Sequence, residues 1–299
     1  DRVASRGLGD VYKRQEPALI DQFQGSGGIN QTFFSVGFPL FKFLHLGGTL
    51  NYNFGNLEYQ TEQFKQGVDF ATQLNRKSSV SGWSYQVAAN VTMPIGAKHE
   101  MKAMYTYQPM ADFDSSNEQI IFTRSISNNT IIDFEEIDLS ANGLQNTTMK
   151  LPLSQKFGIG FGKPKKWFLG VQRNMSSYST FKNSFVLREN ITYEDASQFT
   201  VGGFFIPNYT SLTSYFSRAV YRFGFRKEEL GVLVNNIPLT ETGISFGIGL
   251  PMSGYSNANV GIEMGRLGEK NNGLVRETYF ALRVGLSLNA LWFIKPKYN

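Results

Sequence analysis

From Trp83 to Ile95 the chain keeps a two-residue beat. Trp83, Tyr85, Val87, Ala89, Val91, Met93 and Ile95 are apolar or small, while Ser84, Gln86, Ala88, Asn90 and Thr92 between them are polar or small. The same alternation sets Leu46, Gly48, Leu50, Tyr52 and Phe54 against His45, Gly47, Thr49, Asn51 and Asn53. It returns as Phe280, Leu282, Val284, Leu286 and Leu288 against Tyr279, Ala281, Arg283, Gly285 and Ser287. Successive side chains of a strand point to opposite faces, so each stretch reads as a strand with one greasy and one wet face. Strands of about ten residues exceed the five or six usual in a soluble β-sandwich and suit a tilted bilayer crossing. The reading is all-β, an antiparallel transmembrane β-barrel.

Composition agrees. Of 299 residues, 26 are Phe, 14 Tyr and 30 Gly, and only 18% are charged, as a surface turned to lipid requires. No run of about 18 apolar residues exists, so a helical span is excluded. A negative mean hydropathy is no objection, because a barrel offers lipid only alternate residues. The absence of Cys rules out disulfides, thiolate metal sites and a cysteine nucleophile. Asp1–Gln15 (DRVASRGLGDVYKRQ) is unlike the rest and reads as an adapter-derived scar, leaving 16–299 as a single barrel domain whose N-terminal part is missing. That segment carries +2 of the net +5, and the remaining +3 is too little to argue for nucleic acid.

Strands are expected at 31–38, 43–58, 79–94, around 101–107, 156–162, from Trp167, 199–206, 215–226, around 244–250 and 260–264, and 276–288. The connections alternate between short turns, as at Pro94–Lys98 and Lys163–Lys165, and long polar segments at 59–78, 113–150, 176–195, 227–240 and 267–275. A hairpin is foreseen inside the second of these, around Ile120–Phe122 and Ile131–Phe134. Outer-membrane barrels have short periplasmic turns and long outside loops, which orients every strand. About eleven strands are visible. Bacterial barrels of one chain have even counts, so one or three are missing, for a parent of 12 or 14. Trp167, Phe204, Phe205, Tyr209, Trp292 and Phe293 fall near the short-turn end beside lysines and are read as an aromatic girdle at the membrane interface.

Little speaks for catalysis. Gly243-Ile-Ser-Phe-Gly247 has the shape of a hydrolase elbow, but the only histidines, His45 and His99, precede it and no helix follows. Gly158-Ile-Gly-Phe-Gly162-Lys lacks phosphate-loop spacing. Neither metal nor cofactor is implied, and Glu135, Glu136 and Asp138 read as a solvated loop face. One polar constellation stands out. Arg218, Arg222 and Arg226 share a strand face opposite Ala219, Tyr221, Phe223 and Phe225, and Glu263 and Arg283 fall on the inward faces of their strands. Inward arginines require counter-charges or water. They form either an internal salt-bridge network or an anion site on a solute path, because Arg suits bidentate carboxylate capture.

From about Gly25 onward the chain resembles outer-membrane proteins of Bacteroidetes-type bacteria, in particular the FadL/TodX hydrophobic-compound transporters. The resemblance rests on Lys156-Phe-Gly-Ile-Gly-Phe-Gly, Lys165-Lys-Trp-Phe-Leu-Gly-Val, Tyr221-Arg-Phe-Gly-Phe, Thr242-Gly-Ile-Ser-Phe-Gly-Ile-Gly-Leu-Pro and Tyr279-Phe-Ala-Leu-Arg-Val-Gly-Leu-Ser-Leu-Asn. It implies a 14-stranded barrel with an N-terminal hatch, passive uptake of hydrophobic solutes such as long-chain fatty acids, and a bacterial outer-membrane location. The hatch has no counterpart here. The implied partners are outer-membrane lipid, lipopolysaccharide and a hydrophobic small molecule, with the barrel monomeric and not an enzyme. The rival reading is a non-transporting barrel that anchors a secretion or motility complex, as PorP/SprF-type proteins do.

Overall fold

The computed structural model describes residues 19–183, 185, 191–252, 256–270 and 275–287. The suspected scar, Trp292 and Phe293 lie outside the described residues. Among the described residues fifteen strands are present: β1 (Leu19–Pro39), β2 (Leu44–Lys65), β3 (Phe70–Ile95), β4 (His99–Gln108), β5 (Ala111–Ser125), β6 (Ile131–Glu136), β7 (Asn146–Leu151), β8 (Ser154–Lys163), β9 (Trp167–Ser176), β10 (Ile191–Tyr193), β11 (Ala196–Phe205), β12 (Val220–Val234), β13 (Ile237–Pro251), β14 (Asn257–Leu267) and β15 (Glu277–Ser287). Eleven of them form one path, β1-β2-β3-β4-β8-β9-β11-β12-β13-β14-β15, and these are the eleven read from the sequence. From β3 to β15 every step is antiparallel. The fold is an all-β antiparallel transmembrane barrel.

The chain falls into two compact units. The larger comprises Gln31–Asn53, Gly82–Phe113 and Thr148–Asn299. Its polarity is inverted relative to a water-soluble domain. Along β3, Trp83, Tyr85 and Val87 are exposed while Ser84 is buried, and along β15 Phe280, Leu282 and Val284 are all more than 60% exposed. Asn51, Asn53 and Glu263 are buried. Asn53 Nδ2 donates to Ser84 Oγ at 3.0 Å, and Asn53 Oδ1 accepts from Gln31 Nε2 at 3.2 Å, so these polar groups satisfy one another. A continuous apolar surface of this extent is unfavourable in water and favourable in lipid.

The smaller unit comprises Asp1–Asn30, Phe54–Ser81 and Asp114–Thr147. Asn117 organises it. Buried, it accepts from Ser78 Oγ at 2.8 Å and Ser115 Oγ at 2.9 Å and donates to Leu144 O and Thr147 Oγ1, both at 2.8 Å. Glu62 pairs with Arg124. Asp69 accepts from Ser125 Oγ at 2.8 Å and from the Ser127 N–H at 2.8 Å, and bonds from the two serines hold its carboxyl below the ordinary carboxylate value.

Several sequence expectations need correction. The segments 59–78 and 227–240 are not loops. They continue β2 into β3 and β12 into β13, with turns only at 66–69 and at Asn235–Asn236. In 59–78 polar residues on both faces hide the strand from a search for alternation, and in 227–240 the apolar Val232, Leu233 and Val234 are adjacent instead of alternate, yet the ladder still satisfies the backbone. Asn235 and Asn236 both have positive φ, 53° and 63°, as a tight two-residue hairpin needs. The strand expected from Tyr215 begins at Val220, because Phe216–Arg218 forms a 3₁₀ turn. The hairpin foreseen within 113–150 is present as β5 and β6, with Phe122 opposite Phe134.

Candidate functional site

Backbone register brings the inward residues of β9 to β15 into rows. Gln172, Thr200, Arg226, Gly243, Gly265 and Tyr279 form one row, and Phe168, Phe204, Arg222, Gly247, Gly261 and Arg283 form the next. Ser245 and Glu263 lie between them on the same face.

Arg226 is the hub. Its Nη1 donates to Glu228 Oε2 at 2.9 Å, and its Nη2 donates to Glu241 Oε1 at 2.6 Å, Glu263 Oε1 at 3.0 Å and the Tyr279 hydroxyl at 3.0 Å. Tyr279 in turn donates to Glu241 Oε1 at 2.6 Å. Arg283 Nη1 closes on Glu263 Oε2 at 2.6 Å. The chain of bonds extends the other way through Gln198 Nε2 to Glu228 Oε2 at 2.8 Å, Asn174 Nδ2 to Gln198 Oε1 at 2.7 Å and Gln172 Nε2 to Asn174 Oδ1 at 2.9 Å. Polar side chains from β9, β11, β12, β13, β14 and β15 are thus tied together. Two arginines face three carboxylates, so Arg226 has no fork left for an external anion.

Arg222 differs. Its Nη1 donates to Asn259 Oδ1 at 2.8 Å, and it has no carboxylate partner among the described residues. Its guanidinium lies over Gly249, where a Cβ would sit 2.9 Å from Nη1. Between Arg222 and Arg283 the wall is floored by Gly247 and Gly261, three strand steps or roughly 14 Å across. A cavity of about 520 Å³ is lined there by Arg222, Ser245, Asn259, Glu263, Arg283 and neighbouring glycines and apolar residues. Arg283 is largely open, its side chain 73% exposed.

The structure therefore brings together Arg226, Glu263 and Arg283, with Arg222 nearby on the same face. It does not place Arg218 with them. Arg218 ends the 3₁₀ turn, stacks on the Tyr215 ring at 5.5 Å and keeps its Nε buried without a bonding partner, because the chain leaves strand geometry before Val220. Sequence reasoning missed Glu228, Glu241, Asn259 and Tyr279. Alternation identifies their face, since Glu228 is two residues from Arg226, but not which strands place them against it.

Of the residues expected to form an aromatic girdle, Trp167 packs with Phe161 at 5.6 Å and with His99 at 6.1 Å beside the short turns. Tyr209 receives Lys165 Nζ at 5.4 Å from its ring centre, and Phe205 is exposed. Phe204 is a correction. Adjacent strand residues face opposite ways, so Phe204 turns inward and stacks on Phe168 at 6.2 Å and 19°. Among the described residues no group of three or more His, Asp or Glu side chains is placed to hold a metal. Ser245 lies mid-strand in β13, without the following helix that a nucleophile elbow needs.

Comparison with known proteins extends this picture. The family described as BamG has a model that matches residues 8–299. No curated protein matches the chain. The Ralstonia pickettii toluene transporter TbuX superposes with TM-score 0.54 at 11% identity, over 88% of this chain and 67% of that one. The CymD monoaromatic hydrocarbon channel does so with TM-score 0.52 at 12% identity, over 89% of this chain and 75% of that one. The RagAB peptide importer in its closed-closed state matches 83% of this chain at 11% identity and TM-score 0.48. The chain spans about 30% of that importer chain's length. At these identities the likeness is one of fold, that of outer-membrane barrels.

Proposed function

Because the chain belongs to the BamG family, and its fold is that of outer-membrane barrels, we propose that it resides in the outer membrane of a Gram-negative, Bacteroidetes-type bacterium and passes hydrophobic solutes, long-chain fatty acids among them, by passive diffusion. The observation that carries this reading is the cavity of about 520 Å³ beside Arg222, whose guanidinium meets a neutral amide and, among the described residues, no carboxylate, and so has capacity for a solute carboxylate. In this reading Arg226, Glu263 and Arg283 shape the lumen, Arg222 meets the solute head, and no covalent chemistry occurs. Trp167, Phe205 and Tyr209 seat the barrel at the membrane interface with lipid and lipopolysaccharide. In this reading the barrel works as a monomer.

A second reading, a non-transporting barrel that anchors a secretion or motility complex, is favoured by one observation: the Arg226 network braces four consecutive strands and fills part of the lumen face. The test is titration of the full-length protein, refolded in detergent, with radiolabelled oleate. Saturable binding that weakens in Arg222→Ala supports the uptake reading. A well-folded barrel that binds no oleate supports the anchoring one.

A further inference from the structure

The smaller unit carries an unfinished sheet. Strand β6 pairs with β5 and, among the described residues, with nothing on its other side. All six of its residues, Ile131–Glu136, are exposed. The Ile137 N–H donates to Gln119 O at 2.9 Å, and the register continues as Glu135 opposite Ile121 and Asp133 opposite Thr123. In an antiparallel ladder alternate residues bond inward, so Asp133 and Glu135 serve β5 while Phe134 and Glu136 direct their N–H and C=O groups to the free edge. An open edge of this kind is a template for another strand.

The chemistry of the edge selects what can add to it. Ile131–Asp138 contains Asp133, Glu135, Glu136 and Asp138 and no Lys or Arg. Arg124, opposite Ile131 on β5, is committed to Glu62 and Asn129. A second copy of β6 would set carboxylate against carboxylate, and an anionic lipid surface would be repelled in the same way. Phe134, 68% exposed, offers an apolar contact on the face opposite Asp133 and Glu135. Without a partner strand, Asp133 Oδ1 accepts from the outward Phe134 N–H at 2.9 Å and so blunts the edge. An incoming cation would draw that carboxylate away and free the donor.

We propose that the free edge of β6 is a docking site for an extended segment of another protein that alternates basic with apolar residues and adds to the sheet as a further strand. This interaction surface is independent of the lumen.

The test uses the full-length protein in detergent micelles and a capped seven-residue peptide of alternating Lys and Val, followed by fluorescence anisotropy. Saturable binding is expected, weakened by salt. It should fall about tenfold or more when the peptide is N-methylated on the residues facing β6, since one to two backbone hydrogen bonds are lost. Phe134→Pro, which removes an outward donor without touching the β5 ladder, should fall likewise, and its folding is checked by the heat-dependent gel shift of the barrel. The N-methylated peptide tests the point on the unmutated protein. Equal binding of the methylated peptide would overturn the proposal in favour of simple attraction to an acidic surface. Absence of binding, or a dimer that Phe134→Pro dissolves, would overturn it as well.

Discussion

Replacing Arg226 by Met removes the hub of the lumen network while keeping much of its volume. Glu263 then keeps Arg283, while Glu228 and Glu241 lose their cation and retain only the neutral donors Gln198 and Tyr279. Breaking a buried pair costs about 3–5 kcal/mol and an exposed one at most about 1. The side chain of Arg226 is 29% exposed and those of Glu241 and Glu263 are 16% and 10% exposed, so the site lies nearer the buried limit. We expect a loss of about 2–4 kcal/mol in guanidinium unfolding of the refolded barrel in micelles. Because much of that loss is the penalty of unpaired carboxylates, adding Glu241→Gln to Arg226→Met should return about 1–2 kcal/mol. Arg226→Lys should fall between, since a point charge cannot serve both prongs of the fork. A loss below about 1 kcal/mol for Arg226→Met, with strictly additive double variants, would refute the view that this network holds the strands together.

Other consequences follow from the same geometry. Phe246→Arg, on the lipid face of β13, should cost about 2–4 kcal/mol in refolding into lipid bilayers, whereas Ser245→Arg, one residue away and turned toward Glu263, should cost far less. Equal costs would contradict the assignment of faces. Gly265→Ala would put a Cβ 2.3 Å from the Tyr279 ring, so the ring must leave Glu241 and Arg226, at about 1–3 kcal/mol in the same denaturant assay. An unchanged midpoint would show that the ring has another place to go. Asp69 has its carboxyl held below its ordinary 3.8 by bonds from Ser125 and Ser127. A depressed carboxylate contributes stability above its unfolded value and loses it as pH falls through the folded one. The protection of the Ser127 amide, its exchange rate relative to the intrinsic rate at the same pH, should therefore hold at neutral pH and fall as the carboxyl protonates in acid, and Ser125→Ala should move that onset upward.

The alternation of Trp83–Ile95 and Phe280–Leu286 by itself determines which residues are strands and which faces meet lipid, because a period of two is the geometry of the strand. The eleven strands of the main path and the inward positions of Arg222, Arg226, Glu263 and Arg283 were legible on that ground. The extensions at 59–78 and 227–240 were not, since the first is largely polar on both faces and the second sets Val232, Leu233 and Val234 side by side, so neither carries the alternation. Phe204 was misread because an aromatic beside Phe205 was grouped by its place in the sequence instead of by its parity.

Register was decided by the tertiary structure alone. Sliding one strand by two residues leaves every face unchanged but alters every neighbour, so a period-two pattern is blind to it. The β12–β13 hairpin shows the consequence. Counted straight from the pair Val234–Ile237, Arg226 would stand opposite Ser245. An irregularity between Glu229 and Leu233, where Gly231 takes a φ of 72°, shifts the ladder and sets Arg226 opposite Gly243. That shift leaves the guanidinium room beside Glu241, Glu263 and Tyr279. The residue types and their faces are local properties of the chain, whereas the meeting of these charges depends on contacts across four strands that only the folded sheet aligns.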